Sequence, residues 1–365
     1  MRRAALGLAA LALACAPRAK TPADALGPAM GPPRPAAVAA LPDDAAIVCS
    51  SMRWKPDRDR FANWELYALR DDGGGATRLT FAEQSHQHAA VAPDHRHVAT
   101  NRSPVEPAKR LEIWWIDLAE RTERQVAPTF FTAGAGGVDV SRDGWIYFAG
   151  EPREKEGNDL FRARVDGSRL ERITDTPEPE FDVSVSDDGA HVAFVRVDVL
   201  LWLWPKTEVW TADADGAHAA RVFDGGDRRG RQGPFPFGGY DPEHSPDGRS
   251  VVFSRTNASA AKSDNFGLGA HDLWIANVDG SGLRRLTEPG PIAMIPDWRD
   301  DGTILFTSFD EKGGYVGLAT VPAAGGSVRR LEPGLPQLWD GCRHGKWIPH
   351  LDAAWPHLQD ANAIH

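Results

Sequence analysis

The chain has little cysteine, a deficit of positive charge and no long apolar run, and each shortage closes off a class of function. Three cysteines in 365 residues offer no paired-Cys spacing for zinc. Lys and Arg number 41 against 51 Asp and Glu, a formal charge of −10. Nucleic acid is therefore not an expected partner, because phosphate binding needs clustered Lys and Arg. No apolar stretch reaches the ~20 residues that a membrane span needs. Catalytic signatures are missing as well. There is no Gly-x-Ser-x-Gly nucleophile elbow, no phosphate-binding loop and no dinucleotide fingerprint. There is no EF-hand loop and no His-Glu-x-x-His helix.

What is present begins with an export segment. Arg2 and Arg3 precede apolar Ala4 to Ala14, a stretch too short to span a bilayer. Its end, Leu11-Ala12-Leu13-Ala14-Cys15, resembles a bacterial lipoprotein signal, in which the Cys becomes the lipidated first residue. Ala12 stands where that family prefers Leu, and an ordinary secretory signal is the alternative reading. By the same resemblance, Ala16 after the Cys permits sorting to the outer membrane. Residues 16–40 are rich in Ala and Pro with few large apolar side chains. Such a stretch buries too little surface to offset its ordering entropy, so it is expected to be a disordered tether. The expected layout is a signal over 1–15, a tether over 16–40, a folded body over 41–350 and a tail over 351–365. The lipid would hold the chain at a membrane surface without crossing it.

The body is repetitive. Turn sequences recur about every 50 residues: Pro42-Asp43-Asp44, Pro93-Asp94-His95, Arg142-Asp143-Gly144, Asp187-Asp188-Gly189, Pro246-Asp247-Gly248 and Asp300-Asp301-Gly302. A short run such as Val251-Val252-Phe253 follows each, then a second such as Asp272-Leu273-Trp274. A second turn (Asp279-Gly280) and a closing Arg285-Leu286-Thr287 complete the unit. Asp-Gly flanked by β-branched and aromatic residues is a strong hairpin signal. Four strands per copy describe a propeller blade, which cannot cover both its faces alone and so stacks around an axis. The fold class is therefore all-β, a six-bladed β-propeller of four-stranded antiparallel blades. A seventh, degenerate blade over Leu338 to Ile348 is left open.

These residues resemble the Pro-Asp variant of the WD40-like repeat found in the propeller of TolB-type periplasmic proteins. The resemblance covers roughly 41–335. It implies a bacterial envelope location and a protein partner, an envelope or peptidoglycan-associated protein, for a chain expected to be monomeric. The smaller α/β domain that precedes the propeller in TolB is not evident, which weakens a strict TolB role.

The first copy lacks a convincing inner strand before Pro42, so the tail around Lys346-Trp347-Ile348 is expected to close the ring beside it. Cys49 follows the second strand of that blade and Cys342 lies in the tail. They read either as a disulfide clasp in an oxidising compartment or as two buried thiols.

Strand directions alternate, so the Pro-Asp turns and the Asp-Gly turns share one face. The longer connections share the other, which is expected to carry function. Trp202 and Trp204 lie in one insertion there, and Arg228, Arg229, Phe235 and Phe237 in another. Each reads as a partner-binding patch or as ordinary structure, an extended buried strand for the first and a solvated loop for the second. Aligned on the turns, the starts of the inner strands place His86, His88, Asp139, Asp182, Asp241, Glu243 and Asp297 near the axis, with His244 beside them. Converging carboxylates and imidazoles can bind a divalent cation or another ligand, or simply line a hydrated channel mouth. No cofactor is otherwise indicated, and no catalytic residue can be assigned. A binding module is the leading reading. A channel-site carbohydrate lyase or hydrolase, and an extracytoplasmic ligand sensor, are the alternatives.

Overall fold

Each repeat folds as a four-stranded antiparallel meander in an all-β propeller, with no helix among the described residues. The computed structural model describes residues 32–55, 60–81, 85–103, 110–131, 137–154, 156–198, 206–226, 237–256, 271–288, 292–309, 316–331 and 343–349. From inner to outer strand, the second copy runs Ser85–Val91, His97–Ser103, Arg110–Asp117 and Thr122–Gln125. The third is Val138–Val140, Trp145–Gly150, Asp159–Arg164 and Leu170–Arg172. The fourth is Glu180–Val185, His191–Asp198, Lys206–Asp213 and Ala220–Phe223. The fifth is Phe237–His244, Ser250–Thr256, His271–Asn277 and Arg284–Arg285. The sixth is Ile292–Trp298, Thr303–Phe309, Val316–Pro322 and Arg329–Leu331. The fourth and fifth are joined by a short parallel pairing of Lys206–Thr207 with Phe237–Gly238, so the hydrogen-bonded sheets number five.

The first copy takes its inner strand from the far end of the chain. Arg343–Trp347 pairs antiparallel with Ile47–Lys55, which continues into Arg60–Leu69 and Thr77–Arg78. The inner strands touch in sequence around the axis, and the closing strand touches both Ile292–Trp298 and Ser85–Val91. Apolar packing follows the same circle. Phe130 and Leu111 of the second copy pack with Phe148 and Phe161 of the third. Equivalent clusters join the third to the fourth, the fourth to the fifth and the fifth to the sixth. Two more join the sixth to the first and the first to the second. Each sheet thus buries both faces against its neighbours, as a blade must.

The repeated residues have structural work. In the fifth copy the Ser245 hydroxyl donates to Asp247 Oδ1 at 2.6 Å and accepts from Ser250 N at 3.0 Å. Gly248 takes φ 67, which an L side chain adopts at a cost. The Arg-Leu-Thr marker divides its labour among three groups. Arg78 pairs with Glu65 at 2.6 Å. Leu79 is fully buried. The Thr80 hydroxyl accepts from Leu66 N at 2.9 Å and donates to Glu65 at 2.7 Å. Thr174 and Thr287 take the same bond from Leu160 N and Leu273 N.

The tether boundary needs correcting. Within 16–40, residues 32–40 belong to the fold. Arg34–Pro35 adds a fifth, outer strand to the second copy beside Thr122–Gln125, and Val38 is buried and bridges Thr80. A free sheet edge, the packing of Val38 and Ala36 and the Arg34–Glu123 ion pair order a stretch whose composition argued against it. Cys49 is disulfide-bonded. Cys15 and Cys342 lie outside the described residues, as do 1–31 and the tail beyond 349.

Candidate functional site

The inner strands are bent where they approach the axis. Their pairing with the second strands slips between Phe181 and Ser184, between Tyr240 and Glu243 and between Met294 and Asp297. The bulge residues Asp182, Asp241 and Ile295 have φ of 51, 49 and 55. A bulge re-aims side chains that strict alternation would hide. A β-branched residue such as Ile295 adopts this conformation only where its surroundings impose it. Side chains stitch the bent strands across copies. Val185 N donates to Asp139 Oδ2 at 2.9 Å, and Ile295 N donates to the Ser254 hydroxyl at 3.0 Å.

At the centre stands Lys346, from the closing strand. Its ammonium lies 2.6 Å from Glu243, 3.3 Å from Asp297 and 3.9 Å from Asp139. Burial opposes the ammonium charge, but the three carboxylates outweigh it and hold its pKa well above the usual lysine value. Burial pushes Glu243 well up; Lys346 opposes this, while Asp139 and Asp297 add to it. Asp297 is raised by burial too, against the pull of Lys346 and the Trp347 N–H. One ammonium among three acids leaves the cluster short of positive charge.

A second acidic group lies along the inner strands toward their starts. Asp241 N donates to Asp182 Oδ2 at 3.4 Å, and the Ser254 hydroxyl donates to Asp241 Oδ2 at 3.2 Å. Burial lifts Asp241 to about 6, and burial plus the Asp241 charge lifts Asp182 well above its ordinary value. The two carboxyls face each other between neighbouring copies, and the charge of one disfavours ionisation of the other.

Two cavities meet at Lys346. One of about 50 Å³ is lined by His88, Asp182, Ser184, Asp241 and Glu243 among others. The other, about 480 Å³, opens between the Pro-Asp turns and reaches Lys346, Asp139, Glu243 and Asp297 at its floor. Its rim carries His95, Arg142, Asp187 and Asp300.

The candidates named from the sequence are thus dispersed. Asp139, Glu243 and Asp297 converge on an ammonium of the protein itself, which occupies the place given to a divalent cation. Asp182, Asp241 and His88 share the small cavity, where His88 N donates to Asn101 Oδ1 at 2.8 Å. His86 is separated from His88 by the bulge between His86 and Ala89. It is fully buried, burial and then Arg102 push its pKa well down, and neither ring nitrogen is paired. His244 lines the larger cavity. Trp202, Trp204, Arg228, Arg229 and Phe235 lie outside the described residues, and Phe237 is described only as the start of an inner strand. The sequence placed the acids near the long-connection face, and for Asp139, Glu243 and Asp297 the structure differs. The larger cavity they floor opens on the short-turn face. Lys346 and Asp187 were read from the sequence only as a tail residue and a turn residue. Charge balance was the available signal, since several axial acids call for a cation and the closing strand was the copy without one.

No family model matches the chain. It is 30% identical over 208 residues to an uncharacterized protein of Agrobacterium fabrum, a match covering 54% of this chain and 64% of that protein. The chain therefore spans less than two thirds of that relative's length. Among solved structures it resembles TolB from Acinetobacter baumannii, with a TM-score of 0.59 at 15% identity over 85% of this chain and 68% of the other. It also resembles a putative TolB from Agrobacterium tumefaciens, with a TM-score of 0.50 at 16% identity over 79% and 88%. At these identities the likeness is one of fold, an all-β propeller of the TolB-like kind.

Proposed function

We propose that this chain is a six-bladed propeller held in the bacterial envelope by a lipid on Cys15, and that it works as a binding module for an envelope or peptidoglycan-associated protein. Lys346 carries the choice of binding over catalysis. Its ammonium engages Asp139, Glu243 and Asp297, the acids a channel enzyme would use as acid, base or metal ligands. The circle of six apolar clusters supports the blade number. The TolB-like fold supports a scaffold role, and the Leu11 to Cys15 sequence supports the anchor. The proposal includes Cys342 as the partner of Cys49, which is disulfide-bonded, because with Cys15 carrying the lipid Cys342 is the one cysteine left.

The experiment is capture from solubilised envelope by the immobilised full chain, with identification of what is retained. One reproducible envelope partner is expected. Retention of nothing, together with turnover in a glycan screen, would overturn the binding reading. Cys15→Ser is expected to release the protein from membranes, and unchanged fractionation would remove the anchor.

The second reading, a channel-site carbohydrate enzyme, is favoured by one observation. Burial raises Asp241 to about 6 and, with the Asp241 charge, raises Asp182 well above its ordinary value, so the two are set apart as an acid–base pair is. It requires that Asp241→Asn abolish turnover while thermal stability is retained.

A further inference from the structure

The blade interfaces are not chemically alike. Between the second and third copies the filling is apolar, with Phe130, Phe148 and Phe161 at its centre. Between the first and second copies, Val98 and Ile116 pack on Val48 and Leu66, but a polar row crosses the same surface. Side chains two positions apart on a strand, or directly opposite on the next strand, share a face. Arg102 lies four residues from Val98, and His86 stands opposite Arg102. Trp114 lies two residues from Ile116, and Glu123 stands opposite Ile116. All four therefore face the first copy.

The row runs from the inner strand to the outer edge. Arg102 donates to Glu123 at 3.1 Å, and Glu123 also accepts from Arg34 at 3.0 Å. Both guanidinium groups lie 4.4 Å from the centre of the Trp114 ring. Arg34 begins a staple. Ala36 N donates to Arg121 O of the second copy at 2.8 Å. Ala39 N donates to Leu79 O of the first copy at 2.8 Å, and Phe81 N donates back to Ala37 O at 3.0 Å. Residues 34–39 thus fasten the two copies together, and Val38 is the one buried side chain among them. Elements with so little buried apolar surface open at low cost. This seam also borders the blade whose inner strand comes from the far end of the chain.

His86 makes the seam sensitive to protons. It is 0% exposed, and neither ring nitrogen has a partner. A buried imidazole with no acceptor nearby resists a second proton, and the Arg102 charge opposite adds to the resistance. In an opened seam water would serve both nitrogens, and the ring would hold a proton near its ordinary pKa of 6.5. Closure is therefore fully favoured above that pH and weakens as the pH falls below it, because the open seam binds a proton that the closed one refuses. Among the described residues, the strands packed against Ser85–Val91 also carry Glu65, His97, Asp139 and Lys346. Glu65 is bound by Arg78 and Thr80, His97 by Asp94, and Asp139 lies beside Lys346 at the axis. His88, on the same strand, is turned to the channel by the bulge. Arg102 is the charge that acts on His86.

We propose that the seam between the first and second copies is an acid-sensitive latch, in which proton uptake by His86 opens the interface and releases the staple of residues 34–39. Release would leave Thr122 and Glu123 without the strand that pairs with them, and so bare the outer edge of the second copy to another strand. The latch goes beyond the envelope-partner reading and does not depend on it.

The test is hydrogen exchange of the full chain, read by mass spectrometry and corrected for the intrinsic rate at each pH. Protection over residues 34–41 and 85–103 is expected to fall about tenfold between pH 7.5 and pH 5.5, as one proton bound with a pKa of about 6.5 requires. Residues 145–150, in the apolar interface of the third copy, should keep theirs. His86→Phe and His86→Gln should each lose the pH dependence of the seam. Arg34→Ala should weaken the staple at every pH and leave that dependence in place. His95 and His97 remain in all three variants, so they do not account for the difference. The axial acids Asp241, Glu243 and Asp297, whose pKa values are raised, act in the opposite sense. Seam protection that does not change with pH, or that changes as much in both His86 variants as in the parent, would overturn the proposal. A second readout needs no variant. Followed by NMR in the parent, the His86 ring should take up its proton only as the seam loses protection. A ring that titrates near 6.5 with the seam still protected would overturn the proposal as well. Envelope capture is scored separately, so failure here leaves the partner reading standing.

Discussion

In the first, third and fifth copies the outer edges of the blades are nearly interchangeable, whereas the inner edges are almost all different. At the outer edge, Thr80, Thr174 and Thr287 accept the same backbone bond from Leu66, Leu160 and Leu273. Arg78, Arg172 and Arg285 face the same acid of the third strand. At the axis, equivalent strands bring Asp139, Asp241 with Glu243, Ile295 with Asp297, and finally Lys346. The outer set makes one blade; the inner set makes one particular channel. A ring needs its blades alike where they fold and unlike where they meet, because identical acids at the axis would repel.

The largest effect should come from removing the one residue that reconciles the inner set. Lys346→Met leaves three crowded carboxyls without their ammonium. Breaking such a pair costs about 3–5 kcal/mol, enough to bring a domain of ordinary stability close to unfolding. Urea denaturation at neutral pH checks it. Adding Glu243→Gln should restore part of the loss, because the carboxyl then deleted is one already held well above its normal pKa. If Lys346→Met is as stable as the parent, the acids do not depend on the closing strand, and the argument from Lys346 for binding over catalysis is lost.

This contrast also explains how much could be read without coordinates. Turn and marker residues act within one copy, so their spacing announced the blades and the closing tail. The channel joins residues far apart in the chain, as when Lys346 meets Glu243 across 103 positions, and no local pattern encodes that. The bulges had the same effect on His86 and His88. Two residues apart, they looked like neighbours on one face, but the slip before Ala89 puts one in the core and one at the channel. The sequence named acids on the inner strands but did not pair them with Lys346, the cation that the structure places among three of them.

A smaller effect is expected at the outer edge. Thr80→Val keeps the shape of the side chain but removes the acceptor for Leu66 N and the donor to Glu65. An unsatisfied buried donor costs about 1–3 kcal/mol. The equivalent changes at Thr174 and Thr287 should cost about the same, since each removes an equivalent bond. Unequal losses across the three copies, measured by the same denaturation, would show that the outer edges are less alike than their bonds suggest.

The smallest effect tests the acid pair. Asp241 has a folded pKa of about 6 against an ordinary value of 3.8, and Asp182 is also raised. In the window between those two values the folded chain binds more protons than the unfolded one. Stability contributed by this group therefore grows as the pH falls from about 7 toward 4 and is lost as it rises through 6. Asp187, also pushed up to about 6, and Glu243, raised well above its ordinary value, add to the same slope. Asp241→Asn should therefore flatten the rise without abolishing it, by about 1 kcal/mol between pH 8 and pH 5. Its measurement is the urea midpoint of parent and variant at matched ionic strength across pH 5 to 8. An unchanged slope would mean that Asp241 does not titrate near 6. The channel would then have a single charged centre at Lys346, and the enzymatic reading would lose its acid–base pair.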